Sequence, residues 1–118
     1  MIDDYKYGCF WADGKEFLGD LKIKNNKAHY WQDLEDRKLK VEHFSSLLNE
    51  DCDVFVIGTG AGGMLEVGKE INETLTRWVI NRQKKPFFYI KKNTEAIKII
   101  NDSIKNGKNV CAVLPAGC

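Results

Sequence analysis

The chain has 118 residues, with 18 Lys plus Arg against 17 Asp plus Glu and a formal net charge of +1. This length predicts one domain over residues 1–118, with a core large enough to need no metal or disulfide. The near balance of charge argues against nucleic acid as a partner, because phosphate neutralisation needs a basic surplus. No apolar run approaches the ~20 residues that span a bilayer. The first residues lack the apolar region of a signal peptide, so we expect a cytoplasmic protein without a membrane span.

The residues most able to ligate a metal are Cys9, Cys52, Cys111, Cys118, His29 and His43. No pair of cysteines has the C-x2-C spacing of a zinc knuckle or a redox motif, and the histidines lie far from them in sequence. Three cysteines stand among apolar or aromatic neighbours, where a thiol packs as a small hydrophobic group, and only Cys118 is expected to be exposed. We therefore predict reduced thiols, no metal and no cofactor.

The first thirty residues have the pattern of antiparallel β-structure. Short aromatic or alternating segments are separated by turn signals at Asp13-Gly14 and Asn25-Asn26,. They predict a three-stranded meander with one aromatic face and one charged face. The charged stretch 32–40 is expected to be an irregular, solvated connection.

Beyond residue 41 the pattern becomes that of alternating helices and strands. Apolar residues at Phe44, Leu47 and Leu48 predict a short helix. The continuous apolar run 54–57 predicts a central strand that is covered on both faces. A stripe at helical spacing over 71–79 predicts a longer helix, which must end before Pro86.

The last third of the chain continues this alternation. Residues 87–90 predict a second buried strand, and Asn93 is the expected N-cap of a helix that ends at a left-handed Gly107. A final strand is predicted over 110–114. The second half is thus a βαβαβ wind, and the fold class is α/β with an appended N-terminal antiparallel β-meander.

The strongest local signal is the glycine-rich loop from Gly58 to Gly63. It satisfies G-x-G-x-x-G after a strand, and glycines allow an anion to approach bare N–H groups. Lysines stand where a dinucleotide site would place an acidic residue, and the chain is too short for a full dinucleotide fold. The loop is either a glycine-rich turn or a ligand cradle. In the second case the candidate ligand-binding residues are Gly58, Thr59, Gly60, Gly62, Gly63, Met64, Glu66 and Cys118.

Four lysines bracket the strand 87–90, namely Lys84, Lys85, Lys91 and Lys92. They are either the solvated ends of a strand or a basic edge that steers an acidic protein partner. No catalytic residues are predicted, because Glu66 is the only carboxylate beside the loop and no cysteine has an activating motif around it.

Several segments together resemble a known family. They are Val54–Gly60 with Met64, the helix from Asn93 through Asn101, and the ending Val110–Leu114 with Cys118. The chain is similar to the small α/β "domain of unknown function" family of archaea, bacteria and mitochondria. That family includes a mitochondrial NADH dehydrogenase (complex I) assembly factor and an adipogenesis-associated domain protein. The resemblance covers nearly the whole chain.

The resemblance implies a three-layer single domain, with a central mixed β-sheet, flanking helices and an additional β-layer. It also implies no established enzymatic activity and roles exercised through protein partners. The segment 81–86 departs from the short Gly-containing turn expected for the family, which makes it a candidate interaction surface.

Two hypotheses follow. The first is a non-enzymatic cytoplasmic interaction or assembly module with an unidentified protein partner, with self-association left open. The second is a small-ligand or anion-binding protein, or an enzyme, that uses the loop 58–64.

Overall fold

The chain folds into ten strands, two α-helices and two short 3-10 segments, and the computed structural model describes all residues 1–118. The strands are β1 Ile2–Lys6, β2 Cys9–Ala12, β3 Lys15–Leu18, β4 Leu21–Lys24, β5 Lys27–Tyr30, β6 Lys38–Leu39, β7 Val54–Gly58, β8 Glu66–Val67, β9 Phe87–Lys91 and β10 Val110–Leu114. The helices are α1 Lys69–Ile80 and α2 Asn93–Lys105, and the 3-10 segments are Val41–His43 and Ser45–Asn49.

A mixed sheet of five strands forms the middle layer, in the order β5, β4, β10, β7, β9. The last three are parallel, as the predicted βαβαβ wind requires; β4 pairs antiparallel with β10, and β5 pairs antiparallel with β4. β7 and β10 are buried along their whole length, which explains their continuous apolar sequences,. The predicted α/β class with a mixed sheet is confirmed.

One face of this sheet is covered by α2 together with a second, three-stranded sheet of β1, β2 and β3. Phe10 and Phe17 of the small sheet share a core cluster with Val56 of β7 and with Ala96 and Ile100 of α2. The opposite face is covered by α1 and the 3-10 segments, where Leu75 and Trp78 pack with Phe44 and Phe55. The molecule therefore has three layers and two apolar cores.

The N-terminal turns are confirmed, but the meander is not one sheet. Asp13, Gly14, Asn25 and Asn26 all have positive φ, from 49 to 75°, as two-residue hairpin turns require,. The two hairpins they close belong to different sheets, since β2–β3 pairs with β1 and β4–β5 joins the middle layer. β1 was not predicted, because Ile-Asp-Asp-Tyr-Lys has no alternation of apolar residues.

Two further predictions were wrong. The predicted helix around Phe44 consists of two 3-10 segments, Val41–His43 and Ser45–Asn49. The stretch expected to be a solvated connection contains β6, which pairs with β8 and buries Leu39 completely. A single apolar residue among charges was enough to anchor that stretch on the core.

Candidate functional site

The glycine-rich loop leaves β7 at Gly58 and closes against the end of the chain. Gly60 has a φ of 100°, and a Cβ atom at this position would lie 2.6 Å from the carbonyl carbon of Cys118. A Cβ on Gly58 would lie 2.4 Å from Oδ1 of Asn93. Both glycines are therefore required by close packing of the loop, Asn93 and the C-terminal residues.

Asn93 is the fully buried residue that organises this region. Its Oδ1 accepts a hydrogen bond from Gly60 N–H at 3.0 Å, and its Nδ2 donates to Pro115 O at 2.7 Å. Its own N–H donates to Gly60 O at 3.0 Å. The predicted N-cap role was wrong, because Lys92 is the N-cap and Asn93 is the first residue of α2. Burial of this amide was not visible in sequence, since Asn before a helix is equally typical of a cap.

Most N–H groups of the loop are used inside the molecule. Gly62 N–H and Met64 N–H both donate to the main-chain oxygen of Cys118, at 3.0 and 3.2 Å. Thr59 N–H donates to Lys91 O at 2.8 Å, and Gly63 N–H donates to an oxygen of the loop itself. The loop does form a cradle for an oxygen atom, and the chain's own Cys118 supplies that oxygen.

The structure thus brings together most residues of the predicted ligand site. Gly58, Thr59, Gly60, Gly62, Gly63, Met64 and Cys118 share this region. Glu66 belongs to β8, where it pairs with Lys38 of β6 and is exposed. None of the four cavities of the molecule is lined by loop residues 58–64 or by Cys118.

Residues 115–118 are fixed by hydrogen bonds to distant parts of the chain. Asp20 Oδ1 accepts a hydrogen bond from Ala116 N–H at 2.7 Å, and Gly8 N–H donates to Ala116 O at 2.8 Å. Burial raises the pKa of the Asp20 carboxyl, and the Ala116 N–H opposes that shift,. The end of the chain is consequently part of the core structure.

The four cysteines are free thiols, and three of them are buried. Cys52 and Cys111 lie in the same core cluster beneath α1. The neighbouring Cys111 thiol and burial raise the pKa of the Cys52 thiol far above its ordinary range,. No group of three or more His, Cys, Asp or Glu side chains is placed to hold a metal ion.

The four predicted basic residues lie at opposite ends of β9. Lys84 and Lys85 precede the strand, and Lys91 and Lys92 end it. Lys92 packs on the glycine-rich loop, since a Cβ on Gly63 would lie 3.1 Å from its Cε. The lysines therefore form two clusters, with a partly buried strand between them.

β9 is an edge strand, which corrects the prediction of a second buried strand. It pairs only with β7; its first and last residues are exposed, and its three central residues are half-buried. Phe87 is 66% exposed, and Ile80 at the end of α1 is 62% exposed. The prediction was wrong because an apolar, aromatic sequence is found both in central strands and in edge strands with an exposed aromatic side chain.

A groove between α1 and β9 is the most apolar concavity of the surface. Its volume is about 360 Å³, and it is lined by Thr76, Val79, Ile80, Lys85, Pro86, Phe87 and Phe88. Two polar cavities of about 230 and 330 Å³ adjoin the same segment, and Lys84 lines both of them. Three of the four cavities thus border residues 82–88, including the segment predicted to depart from the family pattern.

Comparison with known proteins decides the family. The model of the family described as "Protein of unknown function (DUF498/DUF598)" matches residues 2–115. The chain belongs to this family. No functionally curated protein matches it.

Several solved structures share the whole architecture of this chain. The conserved hypothetical protein PH1505 from Pyrococcus horikoshii OT3 is 25% identical, with a TM-score of 0.80 over 100% of this chain and 99% of that chain. The protein MT938 is 21% identical, with a TM-score of 0.76 over 100% and 98% of the two chains.

A structure described as an outer membrane protein from Bartonella henselae is 21% identical, with a TM-score of 0.77 over 99% and 94% of the two chains. At this identity the likeness concerns the fold alone. In the present chain, no helix has the length and apolar character needed to cross a bilayer.

Proposed function

We propose that this chain is a non-enzymatic protein-interaction module that binds its partner through the outer side of β9. We call this the β9 surface, defined as Thr76, Val79, Ile80 and Lys84–Lys92. The observation that carries the proposal is the pair of exposed apolar side chains, Ile80 and Phe87, beside the groove of about 360 Å³. Exposed apolar residues that border a groove and are rimmed by charged residues mark binding surfaces.

The neighbouring chemistry supports a protein partner over a small ligand. The groove is open and mainly apolar, with the Lys85 ammonium at its margin. It lacks the convergent set of polar groups that orients a small molecule. The lysines at both ends of β9 supply the polar rim that an interface places around its apolar centre,.

The second candidate function is binding of a carboxylate or another anion at the glycine-rich loop. It is favoured by one observation, the convergence of Gly62 N–H and Met64 N–H on a single oxygen. An external anion would have to displace the Cys118 oxygen and also disturb the hydrogen bonds that fix residues 115–118. The loop is for this reason the weaker candidate.

We also propose a cytoplasmic location, because four free thiols suit a reducing compartment,.

The experiment that tests the proposed function is a pull-down from the cytoplasm with the tagged chain. It compares the proteins that four versions of the chain retain. These are the wild type, a β9-surface variant carrying Ile80→Gln and Phe87→Thr, a loop variant Met64→Gln, and a control Leu18→Thr. Leu18 is 71% exposed on β3, which belongs to a different sheet from β9.

The proposal expects a partner that the wild type and the Leu18 and Met64 variants retain and the β9-surface variant loses. Loss with the Met64 variant alone would favour the loop instead. Retention by all four versions would refute the β9 surface. Thermal unfolding of each version confirms that loss of a partner does not reflect loss of the fold. The anion hypothesis is tested directly by measuring whether phosphate or citrate raises the melting temperature of the wild-type protein.

A further inference from the structure

The outer edge of β9 offers unpaired main-chain groups. In a parallel ladder, alternate residues of one strand direct both N–H and C=O to the same neighbour. Phe87 N–H donates to Asp53 O at 3.0 Å, and Lys91 O accepts from Thr59 N–H at 2.8 Å. Residues 87, 89 and 91 therefore face β7, whereas the N–H and C=O groups of Phe88 and Ile90 point away from the sheet. β9 is the last strand in the sheet order, so no sixth strand pairs with them.

Positive charge stands at both ends of this open edge. Lys84, Lys85, Lys91 and Lys92 are all exposed, and none of them forms an ion pair, since the one ion pair of the molecule joins Met1 to Asp13. Lys85 Nζ donates one hydrogen bond to Ile80 O at 2.6 Å, which leaves its other two donors free,.

The acidic groups that share cavities with these lysines do not cancel their charge. Asp53 lines the cavity of about 230 Å³ with Lys84, Lys85 and Lys108, so three cations there face one carboxylate. Asp51 and Asp53 line the next cavity with Arg82 and Lys84. Both acids lie beside the first end of β9. At the other end, no carboxylate lies within ion-pair distance of Lys91 or Lys92.

The charge distribution argues against a second copy of this chain as the occupant. Two β9 strands related by a two-fold axis would pair antiparallel. Each end of the joined strands would then gather Lys84 and Lys85 of one copy beside Lys91 and Lys92 of the other. Like charges opposed across strands are destabilising, whereas carboxylates at these positions would be attracted.

We propose that the partner contributes an extended segment with carboxylates at both ends, which adds to β9 as a sixth strand of the sheet. This inference rests on the proposed function of the β9 surface and names the chemistry of the partner. The segment pairs its main chain with Phe88 and Ile90 and places an apolar side chain against Phe87 and Ile80. Its carboxylates are ~20 Å apart, because Lys85 and Lys91 are six residues apart and β9 rises by about 3.3 Å per residue,.

The probe for this inference is a displayed library of random nine-residue peptides, selected on the full chain. Selected peptides are expected to carry Asp or Glu near both ends, with apolar residues at alternate central positions. Selection on a Lys84→Glu, Lys85→Glu, Lys91→Glu variant is expected to lose the acidic bias. A selected peptide should bind this variant about 5-fold or more weakly than the wild type, as expected for several exposed charge pairs.

Strand addition has a signature that other binding modes lack. In an added strand, alternate residues face β9, so N-methylation at those positions removes hydrogen bonds to it. N-methylation at the intervening positions leaves these bonds intact. The expected result is a period-two pattern along the peptide, with losses of about 5- to 10-fold at facing positions and little change between them. Amide exchange of Phe88 and Ile90 should slow in the complex.

Several outcomes would overturn strand addition. They are failure to select any peptide, selected peptides without acidic ends, N-methyl losses without period two, and unchanged exchange at Phe88 and Ile90. A concentration-dependent dimer that protects these two amides would assign the edge to a second copy. If the native partner is lost by Ile80→Gln with Phe87→Thr while strand addition fails, the proposed function stands and only this inference falls.

Discussion

Asn93 and Gly60 exchange two hydrogen bonds in the core of the molecule. Gly60 N–H donates to Asn93 Oδ1, and Asn93 N–H donates to Gly60 O, each at 3.0 Å. The same Asn93 side chain holds Pro115 O at 2.7 Å. One buried amide thus joins the loop after β7, the start of α2 and the end of the chain, and it makes the glycine-rich loop a structural junction.

The first prediction concerns this amide. Asn93→Ala leaves Gly60 N–H and Pro115 O buried without partners, and each unsatisfied group costs about 1–3 kcal/mol. We expect the free energy of unfolding to fall by roughly 2–5 kcal/mol in urea titrations, by the same reasoning. Asn106→Ala is the control, since Asn106 is exposed after α2 and should change stability by less than about 0.5 kcal/mol,. Equal, small effects of both changes would contradict the role given to Asn93.

The second prediction separates steric conflict from backbone strain. Gly60→Ala introduces a Cβ atom at a positive φ and 2.6 Å from Cys118, whereas Gly14→Ala introduces one at a positive φ with no atom within 4 Å. The Gly14 variant should lose only the ~1–2 kcal/mol of a left-handed alanine. We expect Gly60→Ala to lose more than this and to release residues 116–118. Equal losses in thermal unfolding would show that the contact with Cys118 is not tight.

The glycine-rich loop also shows how far sequence reasoning reached. The candidate ligand site included Gly58, Gly60 and Cys118, and the structure places Gly60 against Cys118 and Gly58 against Asn93. The sequence did not show that Cys118 supplies the oxygen in the cradle, because that depends on the path of residues 115–118 across the sheet. Asn93 was predicted only as a helix cap. Local sequence cannot show that its side chain binds the Gly60 N–H and the Pro115 carbonyl, which are distant in sequence.

The positions of the strands along the sequence were predicted better than their order in the sheet. Continuous apolar runs identified β7 and β10, because burial on both faces requires apolar residues at every position,. Phe87–Ile90 has an equally apolar sequence, yet β9 lies at the edge. Strand order is set by the packing of α1 and α2 on opposite faces, and a single sequence carries no direct record of it. The exposure of Phe87 became evident only from the structure.

A third prediction concerns pH. The pKa of Asp20 is raised by burial, so the folded state holds this proton more tightly than the unfolded chain,. The stability gained from the protonated carboxyl is complete below about pH 4 and is lost as pH rises through the folded pKa. Asp20→Asn retains an acceptor for Ala116 N–H and removes this titration.

The measurement for Asp20 is a difference between proteins at each pH. The free energy of unfolding of Asp20→Asn minus that of the wild type should increase between pH 3 and pH 7. Other carboxyl groups cancel in this difference. Asp33→Asn, at an exposed position, is the matched control. A difference that stays level or decreases with pH would contradict the assigned sign.

A fourth prediction concerns thiol reactivity. Cys118 is partly exposed, whereas Cys9, Cys52 and Cys111 are buried. Native protein should therefore show one fast thiol with an aromatic disulfide reagent, and Cys118→Ser should abolish that phase. The other three should react only as the protein unfolds. Cys52 should stay unreactive even at pH 9, because the Cys111 thiol and burial raise its pKa,. Two or more fast thiols in the folded protein would be inconsistent with this core.

The central claim is that the β9 surface binds a protein partner, and the ratio of two affinities tests it most directly. Phe87→Thr and Leu18→Thr make the same kind of change at strand positions that are 66% and 71% exposed, on β9 and on β3. Binding of the isolated native partner would be measured for both variants by calorimetry. We predict that Phe87→Thr weakens binding about 10-fold or more, as expected for a central aromatic anchor, and that Leu18→Thr leaves it within about 2-fold. Equal affinities of the two variants would contradict the claim.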